Sequence, residues 1–138
     1  MADDDMDDCL LMRDALSETG IQYDLRVVGD GEELFDYLDR SGKFAEPEAA
    51  PRPDLILLDL RMPRKDGREA LRQLKADPHW RRTPVVMLTT STAEDDVRYA
   101  YEQGVNSYIT KPVTFRTLVD SVRLLSQYWF ELVERPPT

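Results

Sequence analysis

Leu55-Ile56-Leu57-Leu58-Asp59 constrains this chain more than any other stretch, because it is an apolar run that ends in a carboxylate and passes at once into Leu60-Arg61-Met62-Pro63. With Pro53-Asp54 before it and Pro63 and Gly67 after it, a run this short suits a strand buried on both faces of a parallel sheet better than a buried helix segment. Ligands and chemistry in open parallel sheets collect just outside the carboxyl ends of the strands, and Asp59 stands at such an end. An isolated aspartate at that point also suits a helix cap or a turn, so the rest of the chain has to decide its role.

The rest alternates helices with strands. Cys9 to Thr19 reads as a helix with Leu10, Leu11, Ala15 and Leu16 as its apolar positions and Gly20 as its stop. Tyr23 to Val28 alternates like a strand and turns at Gly29-Asp30-Gly31. Glu32 to Asp39 is a second helix with Leu34, Phe35 and Leu38 on one side. Arg40 to Pro53, with four Gly or Pro residues among three alanines, is a longer surface connection. Gly67 to Ala76 is a third helix with Ala70, Leu71 and Leu74 inward, stopped at Asp77-Pro78 because the residue before proline resists helical geometry. Pro84 to Thr89 is a second fully apolar strand. Ser91 or Thr92 caps the helix that runs through Val97, Ala100 and Tyr101 to Gln103-Gly104. Ser107 to Thr110 is a short strand broken by Lys111-Pro112. Thr114 caps a final helix whose inner stripe is Leu118, Val119, Val122 and Leu125. This alternation predicts a parallel sheet covered by helices on both faces.

Composition narrows the function. The chain has 138 residues, 18 basic and 27 acidic, for a net charge of -9. No Lys or Arg cluster is interleaved with aromatics, which argues against a nucleic-acid partner. No run approaches the length of a bilayer span, so no membrane association is expected and the reading is cytoplasmic. Cys9 reads as a helix-face thiol and His79 as a loop residue; neither has partners for zinc ligation or a catalytic triad.

Asp59, Thr89 and Lys111 each follow a separate strand and should converge on one crevice, with Asp3 and Asp4 of the acidic start beside the first. A carboxylate can act as nucleophile toward phosphorus. Positioning and charge neutralisation are what phosphoryl transfer chiefly needs, and a magnesium ion on the acidic cluster, the Lys111 ammonium and the Thr89 hydroxyl would supply them. Asp7 and Asp8 suit the positive N-terminus of the first helix.

Over nearly its whole length the chain resembles the receiver domains of two-component response regulators. The matching motifs are the acidic pair Asp3-Asp4, Asp59 ending the third strand, Thr89 ending the fourth and Lys111-Pro112 after the fifth, with Asp59 30 residues before Thr89 and 52 before Lys111. The resemblance implies an α/β fold with a flavodoxin-like (βα)5 doubly wound parallel sheet of order 2-1-3-4-5, and Asp59 as phosphoacceptor assisted by Thr89 and Lys111. It also implies Mg2+ bound by Asp4, Asp59 and the Arg61 backbone carbonyl, with Asp3 acting through water. Thr89 and Tyr108 would form the conformational switch, and the bond to Pro112 would be cis. A sensor histidine kinase is the implied partner. The tail, the Pro-rich segment before Pro53 and the Arg64 to Glu69 run resemble single-domain regulators associated with phytochrome-type kinases.

The chain departs from the family pattern at both ends. Only Met1-Ala2 precede the acidic pair, where a strand of about five residues is expected. The first strand therefore reads as truncated, either because the chain starts late or because a partner completes the sheet. At the other end the last helix runs on through Tyr128, Trp129 and Phe130, dividing the chain into a receiver at 1–126 and a helical extension at 127–138. Three adjacent aromatics cannot face one core, and they are expected to form an interface, in a homodimer or with a docked partner. Two other functions compete with signalling. An aspartate-nucleophile phosphatase would place an acid two residues after Asp59, where Arg61 stands. A flavodoxin-like binding module would not need the Asp, Thr and Lys set.

Overall fold

A computed structural model describes residues 1–137. Three parallel strands, β1 (Ile56–Leu58), β2 (Val85–Thr89) and β3 (Ser107–Thr110), lie side by side in chain order. Ile56 pairs with Val85, and Thr89 with Thr110. Five helices surround them: α1 (Met6–Thr19), α2 (Gly31–Asp39), α3 (Gly67–Ala76), α4 (Glu94–Glu102) and α5 (Phe115–Ser126). Side chains alternate across each strand, so the sheet has a core on each face. Ile56, Leu58, Val85 and Met87 pack with Leu34 and Phe35 of α2, Leu71 and Leu74 of α3 and Ala100 of α4. Leu57, Leu88 and Ile109 face the other way, onto Met12 and Ala15 of α1 and Val119 and Val122 of α5. Leu71 and Leu74 are wholly buried, each contributing about 1.5–3 kcal/mol by leaving water.

The first strand is reduced to one residue. Ala2 bridges Val28 on one side and Leu58 on the other, both in parallel, which makes the spatial order 2-1-3-4-5 as expected. The Ala2 N–H donates to the Leu57 carbonyl at 2.8 Å and the Asp3 N–H to the Val28 carbonyl at 3.0 Å. Tyr23 to Val28 is not the strand its alternation suggests: Val28 alone forms a bridge, the Met1 amino group adds a bond to the Arg26 carbonyl at 2.8 Å, and the residues before Arg26 have no backbone partner. A cavity of about 600 Å³, walled by Met12, Leu16, Leu25, Leu57 and Val122, occupies the space between Leu25 and Leu57.

Helix punctuation follows the sequence except at α1 and α4. α3 has the expected bounds, with the Asp66 carboxylate accepting from the Glu69 N–H. Thr114 caps α5 in a reciprocal capping box with Thr117. α1 starts three residues before the expected Cys9, because Asp5 accepts from the Asp7 and Asp8 N–H groups and so nucleates the first turn. Its buried face is Cys9, Met12 and Ala15, while Leu10 and Leu11 are exposed. Packing against α5 selects that face, and the spacing of the apolar residues alone could not. Neither Ser91 nor Thr92 is the N-cap of α4, whose cap position is Ala93. Ser91 instead accepts from the Ala93 N–H and donates to Asp96 at 2.6 Å.

Beyond α5 the chain widens into a π-helical stretch, Gln127–Leu132, which ends at an extended Val133 before the Pro136-Pro137 pair is reached. Arg135 then folds back to pair with Asp54 and to lie over the Phe130 ring. No helix among the described residues is long and apolar enough to cross a membrane.

Candidate phosphoacceptor site

Asp59 follows β1 directly, and its backbone is fixed from two sides: its N–H donates to the Ala2 carbonyl at 2.9 Å, and its own Oδ1 accepts from the Leu60 N–H at 2.8 Å. The residue is only 8% exposed. The Ala2 pairing carries Asp3 and Asp4 to the same strand end, where carboxylate oxygens of Asp3, Asp4 and Asp59 all lie within 4.8 Å of one another. Gly67, the first residue of α3, lets the loop close against Asp59. A Cβ there would collide with the Asp59 carbonyl and lie 2.7 Å from the Leu60 Cα.

Lys111 reaches the cluster from the end of β3. Its Nζ is 2.8 Å from Asp3 Oδ2, 3.5 Å from Asp59 Oδ2 and 2.6 Å from Asp8 Oδ2. Burial would lower the lysine pKa, but Asp3, Asp8 and Asp59 outweigh it and hold the ammonium protonated well above its ordinary range. For Asp3, burial is the larger effect and pushes its carboxyl up despite Lys111. Asp3 Oδ2 is buried and, although close to Lys111, is not aligned for a hydrogen bond. A buried, under-satisfied carboxylate oxygen beside two more carboxylates is the donor set a hard divalent cation takes, so these residues fit a divalent metal. Arg61 lines the open crevice above, about 550 Å³ in volume, together with Asp4, Asp66, Arg68 and Asp96.

Thr89, at the end of β2, is almost wholly buried, and its hydroxyl has no hydrogen-bond partner. Its carbonyl accepts from the Lys111 N–H at 2.7 Å, which ties the two strand ends together. Tyr108 is half-buried; its hydroxyl donates to the Ser91 carbonyl at 2.9 Å and is pushed up in pKa by burial. The bond to Pro112 is not cis: there is no cis peptide among the described residues. Trans is the lower-energy form of an X-Pro bond, and here Lys111 is turned inward by its carboxylate partners without a cis bond. The three aromatics lie away from the site and differ in exposure. Tyr128 and Phe130 are exposed, while Trp129 is half-buried with its indole edge-on to Tyr128.

Two features of the site were not expected from the sequence. Asp8 joins Lys111 rather than serving the helix terminus alone, and the only hint of this was an excess of carboxylates needing a cation. Behind the loop, buried Asp30 caps α2 through the Glu33 N–H and also pairs with Arg64. Burial would raise the Asp30 pKa, but the Glu33 N–H and the Arg64 guanidinium hold the carboxyl below the usual range.

A doubly wound sheet with an acidic cluster, a threonine and a lysine at adjacent strand ends defines a two-component receiver, and the chain belongs to the response regulator receiver domain family, which it matches over residues 1–123. Within that family it is related to phytochrome response regulators. It is 40% identical over 136 residues to response regulator Rcp1 of Synechocystis sp., covering 99% of this chain and 90% of that protein. The crystal structure of the Mn(2+)-bound form of Rcp1 superimposes with a TM-score of 0.86, covering 99% of this chain and 96% of that one. The phosphorylated cyanobacterial phytochrome response regulator RcpA is similar at 40% identity and a TM-score of 0.89, with 99% and 95% covered. RPA3017, a response regulator in red light signalling of R. palustris, matches at 36% identity and a TM-score of 0.91, with 99% and 96% covered.

Proposed function

We propose that Asp59 is the phosphoacceptor of this response regulator and that a sensor histidine kinase, of the phytochrome type by analogy with its relatives, is the donor. The approach of Lys111 Nζ to within 3.5 Å of Asp59 Oδ2, inside a ring of carboxylates, carries this reading. Asp59 Oδ2, the oxygen that Leu60 does not hold, attacks phosphorus. The bond from phosphorus to the donor breaks, and the donor leaves with that electron pair. Lys111 and the Thr89 hydroxyl, which has no partner of its own, bind the transferred oxygens. Asp4, Asp59 and the Arg61 carbonyl would hold Mg2+, with Asp3 acting through water. The ion supplies charge neutralisation at the oxygens in transit.

Thr89 moving toward the phosphoryl group, with Tyr108 packing behind it, changes the face formed by α4, β3 and α5 and hence the protein's contacts. The protein also catalyses its own phosphorylation from small donors and its own dephosphorylation, as a signalling domain. It works in the cytoplasm. Residues 1–126 are the receiver and 127–138 an extension whose Tyr128, Trp129 and Phe130 contribute to a homodimer; Trp129→Ala should weaken self-association in sedimentation at graded concentrations. Intact mass after incubation with a small acyl phosphate tests the acceptor. One phosphoryl group should be gained only with Mg2+ and not by Asp59→Asn, and labelling of that variant would refute the assignment.

A further inference from the structure

Asp8 lies outside the set just assigned, yet it is the carboxylate to which Lys111 is hydrogen-bonded. Its Oδ2 accepts from Nζ at 2.6 Å, whereas Asp3 Oδ2 is out of alignment and Asp59 Oδ2 is 3.5 Å away. The contact joins the first turn of α1 to the end of β3 across 103 residues of sequence. It is not needed to start the helix, because the Asp5 carboxylate already accepts from the Asp7 and Asp8 N–H groups. The Lys111 side chain is 14% exposed and that of Asp8 30%, so the pair sits at the rim of the crevice, where water screens it only in part.

A lysine ammonium is a compact charge with three donors on a flexible stem, and it moves readily between acceptors. A phosphoryl group on Asp59 would offer it a stronger acceptor beside the carboxylate it already approaches at 3.5 Å, but the ammonium would have to be drawn away from Asp8 or shared with it. We propose that Asp8 is a positioning residue that competes with the phosphoryl group for Lys111, and so sets how tightly the acceptor site holds that group. This rests on Asp59 being the acceptor.

Binding of beryllofluoride, a stable phosphoryl mimic, in saturating Mg2+ and followed by fluorine NMR, tests it. Asp8→Asn should bind the mimic about two- to fivefold more tightly, the range of a partly screened ion pair, and Asp8→Ser should do the same. Asp8→Glu, which keeps the charge, should behave as the wild type. In a Lys111→Met background, Asp8→Asn should change nothing. Equal tightening in that background would show that Asp8 acts through its field rather than through the lysine, and would overturn the proposal; so would unchanged or weaker binding by Asp8→Asn with Lys111 in place. Failure of the wild type to bind beryllofluoride would overturn the acceptor assignment and this inference together. Wild-type binding with an indifferent Asp8→Asn overturns this inference alone.

Discussion

Lys111→Met keeps the unbranched stem but removes the only cation paired with Asp3, Asp8 and Asp59 among the described residues. At separations of 2.6, 2.8 and 3.5 Å each contact is worth roughly 5–6 kcal/mol of gross attraction at an effective dielectric near 20. Desolvation of the ammonium and repulsion among the carboxylates cancel most of it. What remains is the cost of leaving Asp3 and Asp59 buried beside each other without a counter-charge. Removal of one partner from a buried pair costs about 3–5 kcal/mol, and the lower end applies here because Asp8 remains partly open to water.

Urea unfolding in chelator, followed by tryptophan fluorescence, should therefore show Lys111→Met about 3 kcal/mol less stable than the wild type, with an unchanged m-value. Adding Mg2+ should narrow the gap to less than about 1 kcal/mol, because the variant has more uncompensated charge and gains more from binding a cation. A loss below about 1 kcal/mol without metal, or equal stabilisation of both proteins by Mg2+, would refute the view that these carboxylates share one counter-charge.

Gly67→Ala should destabilise the protein by about 1–3 kcal/mol, because the new methyl meets the Asp59 carbonyl and Leu60 Cα and neither backbone atom can yield without moving Asp59. Labelling by acyl phosphate should slow in the same variant, and wild-type labelling would separate loop geometry from Asp59 reactivity. Asp30 has a folded pKa below its unfolded value, so its contribution is present above about pH 4 and is lost as pH falls through the folded value. Asp30→Asn should cost about 1–2 kcal/mol at neutral pH, and its difference from the wild type should shrink in acid unfolding curves; a pH-independent difference would remove the charge from the explanation.

The parts of this fold that were legible in the sequence are those specified locally. The Leu55 to Asp59 run announces a buried strand with a carboxylate at its end, and Gly67 with Asp77-Pro78 fixes both ends of α3. The acidic pair, Thr89 and Lys111 were legible as strand-end residues because chemistry gathers at such ends in parallel sheets. What escaped depends on distant contacts. Tyr23 to Val28 alternates like a strand, but a strand needs a neighbour, and only Met1 to Asp3 supply one, at its far end. Apolar residues at positions 9 to 12 of α1 suit more than one helix face, and packing against α5 decides between them. The Asp8 to Lys111 contact closes across 103 residues of sequence, so no local pattern could reveal it.

The acidic pair is held in place by very little backbone. Five hydrogen bonds fix it: Ala2 to Leu57, Asp59 to Ala2, Asp3 to Val28, Val28 to Met1, and the Met1 amino group to the Arg26 carbonyl. The third of these bonds seats Asp3 directly, while the second runs from Asp59 itself, so Asp3, Asp4 and Asp59 are tied to one another through Ala2. A one-residue slip at Ala2 would turn Asp3 to the opposite face and take its carboxylate away from Lys111. The β2 strand and the helices packed on it do not depend on these bonds, since Val85 and Met87 are buried in the core on one face and Leu88 in the core on the other. Opening of Met1 to Asp3 therefore dismantles the carboxylate cluster at a free energy below that of global unfolding. A cation across Asp3, Asp4 and Asp59 would close that opening and raise hydrogen-exchange protection first at the Asp3 and Asp59 amides, ahead of any change at Met87.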